Sequence, residues 1–181
     1  MRFIAVSQRV DLIASRNEMR DALDQRIIEF ILECDFLPLP VPNRLVRTGA
    51  GEGCRTLIAW LKMMSPDGFL LSGGNDIGAQ KHRDLTEKTM LKFASERRLP
   101  VLGICRGMQM LAVNDGSELK KVVGHVNTVN TLKGEINGKV NSYHQYSIQA
   151  CPESYSVTAR SNDGEIEAIR HKTLPWEGWM W

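Results

Sequence analysis

The segment Leu102-Gly103-Ile104-Cys105-Arg106-Gly107-Met108-Gln109 is the part of this 181-residue chain that predicts the fold most directly. An apolar run that begins at Pro100 stops at Ile104, and residues with helical spacing follow almost at once. Glycines two residues before and two residues after Cys105 permit a tight strand-to-helix turn, which lifts the cysteine side chain clear of the backbone. The segment therefore predicts a buried strand, a sharp turn at Cys105 and a helix.

Cys105 is a candidate nucleophile in this turn. The helix that follows points its N-terminus at the sulfur, which favours the thiolate, and a thiolate is the competent nucleophile. A buried structural cysteine beside two packing glycines is the alternative interpretation. The other cysteines, Cys34, Cys54 and Cys151, are widely spaced and form no Cys-x-x-Cys pair, so they indicate neither disulfides nor a zinc site.

Away from the turn, strand and helix patterns alternate along the chain. Apolar runs predict buried strands at 3–6, 68–71 and 100–104, and the prolines of 36–42 favour an edge strand. Past residue 135 the pattern changes to shorter strands, at 140–148, 155–160 and 165–169. The alternation predicts an α/β fold with a mostly parallel central sheet, helices on both faces and a small antiparallel extension.

Three helices are predicted in the N-terminal part from apolar residues at helical spacing. The first covers residues 19–31, with Asn17 as its N-cap. The second runs from about Glu52 to Met64. The third begins near Asp84 and is expected to carry Asp84 and Glu87 in its first turn, where the helix dipole favours acidic side chains.

The loop Ser72-Gly73-Gly74 is a second candidate element of a site. It follows the strand predicted at 68–71, whose carboxyl end would lie at the same edge of a parallel sheet as Ile104, and ligands bind at that edge. A glycine there can offer its backbone N–H to a substrate oxygen, and with the N–H of Arg106 it would form a two-donor oxyanion hole. An ordinary turn is the alternative interpretation of the two glycines.

Several further segments occur in an order that matches one protein family. They are Leu71-Ser72-Gly73-Gly74-Asn75-Asp76-Ile77, Arg83-Asp84 with Glu87, His125-Val126, Val140-Asn141-Ser142-Tyr143-His144-Gln145, and Asp163-Gly164 with Ile166-Glu167-Ala168. Together with the cysteine turn they resemble the γ-glutamyl hydrolase branch of the class I glutamine amidotransferase-like family. The cysteine turn and the Val-Asn-Ser-x-His-Gln segment are the specific part of the resemblance, which covers most of the chain from residue 68 onward.

The resemblance implies a flavodoxin-like α/β fold and a Cys-His-Glu triad. It implies that Cys105 attacks a γ-glutamyl carbonyl and that water hydrolyses the resulting thioester. Gly74 and Arg106 would supply the oxyanion-hole amides, and Gln109 would lie near the bound glutamyl group. The substrate pocket would be lined by Asn141, Ser142 and His144. Without the resemblance, Gln109 is a polar residue on a helix face, and Asn141 and Ser142 are turn residues.

The C-terminal segment departs from the family pattern. The family takes its catalytic histidine and glutamate from a terminal Gly-x-x-Trp-His-Pro-Glu element, and Gly178-Trp179-Met180-Trp181 matches the first half of it. We expect a single glutamine amidotransferase-like domain over residues 1–181 that lacks its C-terminal catalytic tail. The alternatives are a site that binds without efficient turnover and a replacement base among His82, His125, His144 and His171, of which His144 is the best placed.

The expected function is hydrolysis of a γ-glutamyl amide bond in a small molecule by a stand-alone enzyme. Arg9 follows the first strand and could bind an anionic part of the substrate, while a surface arginine is the equal alternative. The second hypothesis is a glutaminase subunit that supplies ammonia to a separate synthetase. The third is a non-catalytic binding protein, which applies if the native chain ends at Trp181.

The composition favours a cytoplasmic protein without nucleic-acid or membrane partners. The 23 basic and 21 acidic residues are interspersed and give a formal net charge of +2. No apolar stretch approaches the roughly 20 residues of a membrane span, and the apolar run at the N-terminus is too short for a signal peptide. No metal or cofactor is expected because the histidines show no ligand spacing, and Asp163 and Glu167 are interpreted as structural.

Overall fold

The computed structural model describes residues 2–47 and 53–181, and the chain divides into two compact units. The first unit ends at Val101, and the second is Leu102–Trp181. The expectation of a single domain stays a prediction. In the described ranges, no helix is both long enough and apolar enough to cross a membrane.

Parallel strands organise the first unit. Its described strands are β1 (Arg2–Ser7), β2 (Arg9–Ile13), β3 (Glu18–Ala22), β4 (Phe36–Val41) and β5 (Gly68–Leu71). β1 lies between β4 and β5 and is parallel to both, which confirms the strands predicted in these places. β4 is at the edge of the sheet, as its prolines predicted, because a proline has no N–H to give to a second neighbouring strand.

Two of the predicted helices in the first unit are confirmed. Its described helices are α1 (Gln25–Glu33), α2 (Arg55–Met64) and α3 (Lys81–Arg97), with short 3-10 helices at Ala14–Arg16 and Asn43–Leu45. The predicted start of the second helix, Glu52, lies outside the described residues. Asp84 is in the first turn of α3 as expected, whereas Glu87 lies beyond that turn and is fully buried, so its predicted dipole role is wrong.

The helix predicted at 19–31 is wrong over its first half. β2 and β3 form an antiparallel hairpin in which Ile13 pairs with Glu18, and this ladder takes up the backbone groups of the segment. Asn17 is not an N-cap but a turn residue in the left-handed conformation, with φ of 51°. α1 begins only after Asp24, whose side chain accepts a hydrogen bond from the N–H of Arg26.

The second unit contains the helix that follows Cys105 and an antiparallel sheet. Its described elements are β6 (Val101–Ile104), α4 (Arg106–Asn114), β7 (Leu119–Lys121), β8 (Val126–Gly134), β9 (Gly138–Tyr143), β10 (Tyr146–Ile148), β11 (Tyr155–Ser161), β12 (Ile166–His171) and β13 (Trp176–Trp179). The strand order is β6-β13-β12-β11-β8-β9, and β10 pairs with β7 in a separate ribbon. The strands predicted at 155–160 and 165–169 are confirmed as β11 and β12. The single strand predicted at 140–148 is wrong in its middle, because the chain leaves the large sheet after Tyr143 and resumes as β10, which pairs with β7 instead. β7 and β8 were not predicted.

Apolar contacts across this sheet position the end of β13. Leu132, Ala159 and Ala168 form a buried cluster on β8, β11 and β12, and Trp179 and Trp181 pack against it. The two tryptophan rings are stacked, with centroids 5.8 Å apart and ring planes 2° from parallel. β13 is thereby anchored beside the turn that carries Cys105.

Candidate active site

The backbone at Cys105 has the shape that the sequence predicted. β6 ends at Ile104, α4 begins at Arg106, and Cys105 between them has φ of 52° and ψ of −107°. A non-glycine residue in such a region costs about 1–3 kcal/mol, so the surrounding structure must hold the turn in place. The Cys105 N–H donates a hydrogen bond to the Trp179 carbonyl at 2.6 Å, and the Cys105 carbonyl accepts the N–H of Gln109 at 3.1 Å. The predicted strand, turn and helix are therefore confirmed, and the nucleophilic role of Cys105 stays a prediction.

Gly103 is required by the close approach of strand and helix. A Cβ at this position would lie 2.5 Å from the carbonyl carbon and 2.6 Å from the carbonyl oxygen of Gly107. Both are backbone atoms of α4, so they cannot move aside as a flexible side chain would. Glycine at 103 thus allows the first turn of α4 to fold back directly over the end of β6.

Gln109 links α4 to the segment that contains His144. Its side chain is 5% exposed, and its amide donates a hydrogen bond to the carbonyl of Tyr146 at 2.9 Å. The same carbonyl oxygen lies 3.0 Å from Nδ1 of His144. The structure therefore brings together Gln109 and His144, two residues that the sequence analysis assigned to substrate binding.

The three predicted pocket residues near β9 do not share one face. Ser142 and His144 are buried, whereas Asn141 is exposed, as the alternation of side chains along a strand requires. The Ser142 hydroxyl and the His144 N–H both donate to the carbonyl of His125, at 3.0 and 2.9 Å. The three side chains therefore do not line one common pocket in this arrangement. Their contact with a substrate stays a prediction.

His125, His144 and Glu167 form a cluster, called here the buried polar cluster. Their side chains are at most 2% exposed. His125 Nδ1 is 3.2 Å from His144 Nε2 and 3.2 Å from Oε1 of Glu167. On its other side, His125 Nε2 lies 2.8 Å from the carboxylate of Asp163. Hydrogen bonds from Ser161 and from His125 lower the pKa of Asp163 to about 2, so this carboxylate is ionised at neutral pH.

This cluster was not predicted from the sequence, because the β8–β9 hairpin that brings it together was not predicted. Val126 pairs with Tyr143 at the open end of the antiparallel β8–β9 pair, and one step further in that register places His125 opposite His144. The two histidines are therefore neighbours although 19 positions separate them. The Asn137-Gly138 dipeptide, between two segments that contain valine and other strand-forming residues, is the signal from which the hairpin could have been predicted.

In the first unit, the loop that carries Gly74 is held by one buried arginine. The guanidinium of Arg83 donates hydrogen bonds to the carbonyls of Ser72, Gly73 and Gly74, at 2.7–2.9 Å, and also pairs with Glu87 at 3.1 Å. Both charged side chains are 0% exposed. Gly74 itself has φ of +84°, which favours glycine. The loop is thus a rigid, specifically bonded structure, and its part in an oxyanion hole stays a prediction.

Arg9 lies against this loop. A Cβ on Gly74 would be 3.3 Å from Cδ of Arg9, so the arginine stem covers the glycine. The Arg9 guanidinium pairs with Asp11 at 2.7 Å, and its side chain is 52% exposed. The residue is placed where the sequence analysis expected it, beside the glycine loop, and its contact with an anionic substrate stays a prediction.

Comparison with known proteins identifies the family. The family model described as glutamine amidotransferase class-I matches residues 17–179. The chain belongs to the class-I glutamine amidotransferase family. The resemblance drawn from the cysteine turn and the Val-Asn-Ser-x-His-Gln segment is confirmed.

Two relatives show how the similarity of this amidotransferase chain is distributed. The γ-glutamyl-CDP-amidate hydrolase of Campylobacter jejuni is 29% identical over 188 residues, which cover 99% of this chain and 88% of that protein. A glutamine-hydrolysing GMP synthase subunit of Methanocaldococcus jannaschii is 30% identical over 118 residues, which cover 60% of this chain and 59% of that protein. The similarity to the hydrolase therefore extends over nearly the full chain, and the similarity to the synthase subunit over about three fifths of it.

A solved structure supports the fold of the amidotransferase chain. A structure described as a GMP synthase subunit from Thermoplasma acidophilum superposes with a TM-score of 0.72 at 20% identity, and the match covers 99% of this chain and 83% of that one. At this identity the likeness establishes the fold alone. The predicted α/β fold of the class I glutamine amidotransferases is confirmed.

Proposed function

We propose that the protein hydrolyses a γ-glutamyl amide bond in a small molecule, with Cys105 as the nucleophile. The observation that carries the proposal is the strained turn at Cys105, with φ of 52° at the head of α4, in a chain of this family. A cysteine held at a helix N-terminus in a left-handed turn is presented for attack and favoured as a thiolate. Strain of this kind persists where function requires the geometry.

The proposed reaction has two steps. The Cys105 thiolate adds to the γ-glutamyl carbonyl carbon, and the carbonyl oxygen takes the negative charge. Collapse of this adduct breaks the C–N bond, and the amine leaves with a proton. Water then adds to the thioester, releases glutamate and restores the thiolate. The N–H of Arg106, the first residue of α4, is the proposed oxyanion donor, and Gly74 stays the second donor predicted from the resemblance.

The family pattern assigns proton transfer to the histidine of the terminal Trp-His-Pro-Glu element. Residues Gly178-Trp179-Met180-Trp181 match the first half of that element, and the Trp179 carbonyl is 2.6 Å from the Cys105 nitrogen. Residues adjacent to Trp179 in sequence therefore lie beside the nucleophile turn. This contact supports a role for the element in the reaction.

The proposed substrate class is taken from the Campylobacter jejuni relative. The Campylobacter jejuni hydrolase, 88% of whose length is covered by this chain, is named for a γ-glutamyl amidate of a cytidine diphosphate. We propose that this protein likewise acts on a small γ-glutamyl compound with an anionic leaving group. Arg9 is the proposed contact for the anionic part, because its guanidinium is half exposed beside the glycine loop.

A second candidate function is supported by the synthase relatives. The GMP synthase subunit of Methanocaldococcus jannaschii is 30% identical over 60% of this chain. A glutaminase subunit would use the same cysteine chemistry but would transfer ammonia to a separate synthetase. It would show low activity alone and a rise in activity with its partner, whereas a stand-alone hydrolase needs no partner.

The deciding experiment measures glutamate release by the full-length protein from γ-glutamyl-p-nitroanilide, glutamine and γ-glutamyl-CDP-amidate. We expect release by the wild type and by Cys151→Ala, the control for a half-buried cysteine outside the turn, and none by Cys105→Ala. Release that survives Cys105→Ala would overturn the mechanism. Release from glutamine alone would favour the glutaminase hypothesis, and no release from any substrate would favour a non-catalytic binding protein.

A further inference from the structure

Three acceptor atoms meet at the centre of the buried polar cluster. His125 Nδ1 is 3.2 Å from His144 Nε2, and Oε1 of Glu167 is 3.2 Å from the first nitrogen and 3.5 Å from the second. All three side chains are buried. Lone pairs that converge in a medium of low dielectric constant repel one another unless a cation lies between them.

Hydrogen bonds on the sides of His125 and His144 that face away from the centre determine which ring nitrogen carries the proton. His125 Nε2 lies 2.8 Å from the Asp163 carboxylate, which can only accept, so this nitrogen carries the proton of the neutral ring. His144 Nδ1 lies 3.0 Å from the Tyr146 carbonyl, which also only accepts. With one proton on each ring, the unprotonated nitrogens are His125 Nδ1 and His144 Nε2, and both face the centre of the cluster.

The surroundings of Glu167 are a second, independent indication that a positive charge belongs at the centre of the cluster. Its carboxylate is 0% exposed, and neither of its oxygens has a hydrogen-bond donor among the described residues. The Met180 N–H bonds to the backbone carbonyl of Glu167, not to the side chain. A buried carboxylate without a donor is costly unless it is paired with a proton or a metal ion.

We propose that the buried polar cluster binds a divalent transition-metal ion of the zinc class. A tetrahedral ion with bonds of about 2.0–2.2 Å to nitrogen and oxygen sets its ligand atoms roughly 3.3–3.5 Å apart, and the three separations here are 3.2, 3.2 and 3.5 Å. Two imidazoles and a carboxylate are a ligand set that suits zinc. The bonds from His125 to Asp163 and from His144 to the Tyr146 carbonyl are the outer contacts that orient metal-binding histidines.

Asn130 is positioned to complete the site. Its side-chain amide lies 3.0 Å from Nδ1 of His125, and a half-turn of the amide exchanges its nitrogen for its oxygen. The oxygen would then face the ion as a fourth ligand. A site closed by four protein ligands is structural rather than catalytic. It would fasten the open end of the β8–β9 hairpin, where His125 and His144 lie, to Glu167 of β12.

The test is metal analysis of the full-length protein without an affinity tag, as isolated and after refolding with excess Zn²⁺. We expect about one zinc ion per chain and, after refolding with Co²⁺, the visible absorption of tetrahedral cobalt. Asp163→Asn, at a side chain that is 55% exposed, should weaken zinc binding by about 10- to 100-fold without unfolding the protein. Glu167→Gln should remove the zinc.

Two controls separate this site from the other zinc-binding groups of the chain. Cys105→Ala should keep its zinc, which shows that the ion is not held by the nucleophile, and so should His82→Gln in the first unit. Wild-type protein that is folded, holds no metal after both preparations and unfolds at the same temperature with and without Zn²⁺ would overturn the proposal. A proton shared between Glu167 and a histidine would then fill the centre. A Cys105→Ala protein that holds no zinc would also overturn the proposal.

Discussion

The backbone N–H of Cys105 donates a hydrogen bond to the carbonyl oxygen of Trp179 across 2.6 Å. This bond ties the turn at Cys105 to the end of β13. The Cys105 amide is therefore engaged by Trp179, and the oxyanion donor proposed for this turn is the amide of Arg106, the next residue. The shape of the turn thus depends on how closely β6, α4 and β13 pack.

Replacement of Gly103 tests that packing. In Gly103→Ala, the new Cβ would lie 2.5–2.7 Å from backbone atoms of Gly107 and Met108. We expect a loss of about 1–3 kcal/mol in the free energy of unfolding and a loss of glutamate release, because the turn must open. Thermal unfolding and the glutamate assay measure the two effects. Gly178→Ala is the comparison: its Cβ would lie 2.8 and 3.0 Å from Cγ and Cβ of Met108, which are longer separations that involve no backbone atom, so the loss should be smaller than in Gly103→Ala. Equal behaviour of the two variants would contradict this account.

The ion pair between Arg83 and Glu87 should be strongly coupled. Both side chains are fully buried, so Glu87→Gln leaves the arginine charge without its carboxylate and should cost about 3–5 kcal/mol of unfolding free energy. The double variant Arg83→Met/Glu87→Gln should be less destabilised than the sum of the two single variants. Urea unfolding of all four proteins gives the coupling. Additivity to within about 0.5 kcal/mol would refute a coupled pair.

His171 should make the stability of the second unit depend on pH. The N–H groups of Thr173 and Leu174 donate to its Nδ1 at 3.1 and 3.0 Å, which requires the neutral ring. Burial lowers the pKa of His171 below its ordinary value, against a smaller opposing effect of Asp115. A lowered pKa means that the unfolded chain binds the proton more readily. The stabilisation is therefore complete above about pH 6.5 and is lost as the pH falls below that value.

Urea unfolding of the wild type and His171→Asn, at pH 7.5 and at lower pH, measures this dependence. Asparagine keeps an acceptor near the position of Nδ1 but does not titrate. We expect the variant to lose less unfolding free energy than the wild type as the pH falls. An identical pH dependence in both proteins would show that His171 is not the responsible group.

Gln109 distinguishes a scaffold role from a substrate role. Gln109→Glu replaces the amide donor by a carboxylate against the Tyr146 carbonyl, at a bond of 2.9 Å. We expect the unfolding free energy to fall by about 1–3 kcal/mol, and by less in the uncharged Gln109→Met. Urea unfolding and the KM for the γ-glutamyl substrate are measured together. Unchanged stability with a raised KM in Gln109→Met would instead assign the residue to the glutamyl group.

The parts that were predictable from the sequence are those with local causes. The strand, turn and helix around Cys105 follow from two glycines and an apolar run, and the edge position of β4 follows from its prolines. The helix predicted at 19–31 was partly wrong because apolar spacing in Glu18–Ala22 serves a hairpin, and pairing with β2 outweighs helical propensity.

The buried polar cluster was not predictable in the same way. It depends on the register of β8 against β9 and on the placement of β12, so its members come together only through long-range pairing. From the sequence, Glu167 is predicted only as one residue of a short strand. Its part in the cluster depends on two histidines that are far from it along the chain. The hydrogen bonds from Arg83 to three successive carbonyls were also not predictable, because backbone acceptors leave no pattern of residue types in the sequence.

At Cys105, the positive φ that favours glycine for stability conflicts with the thiol that the proposed reaction needs. Glycine is the residue that would adopt φ of 52° without strain, and glycine has no thiol. Random substitution under selection for folding alone would therefore drift toward Cys105→Gly, and that variant should be more stable than Cys105→Ala. Under the proposed function, the thiol explains why a cysteine occupies a position whose φ glycine would adopt without strain.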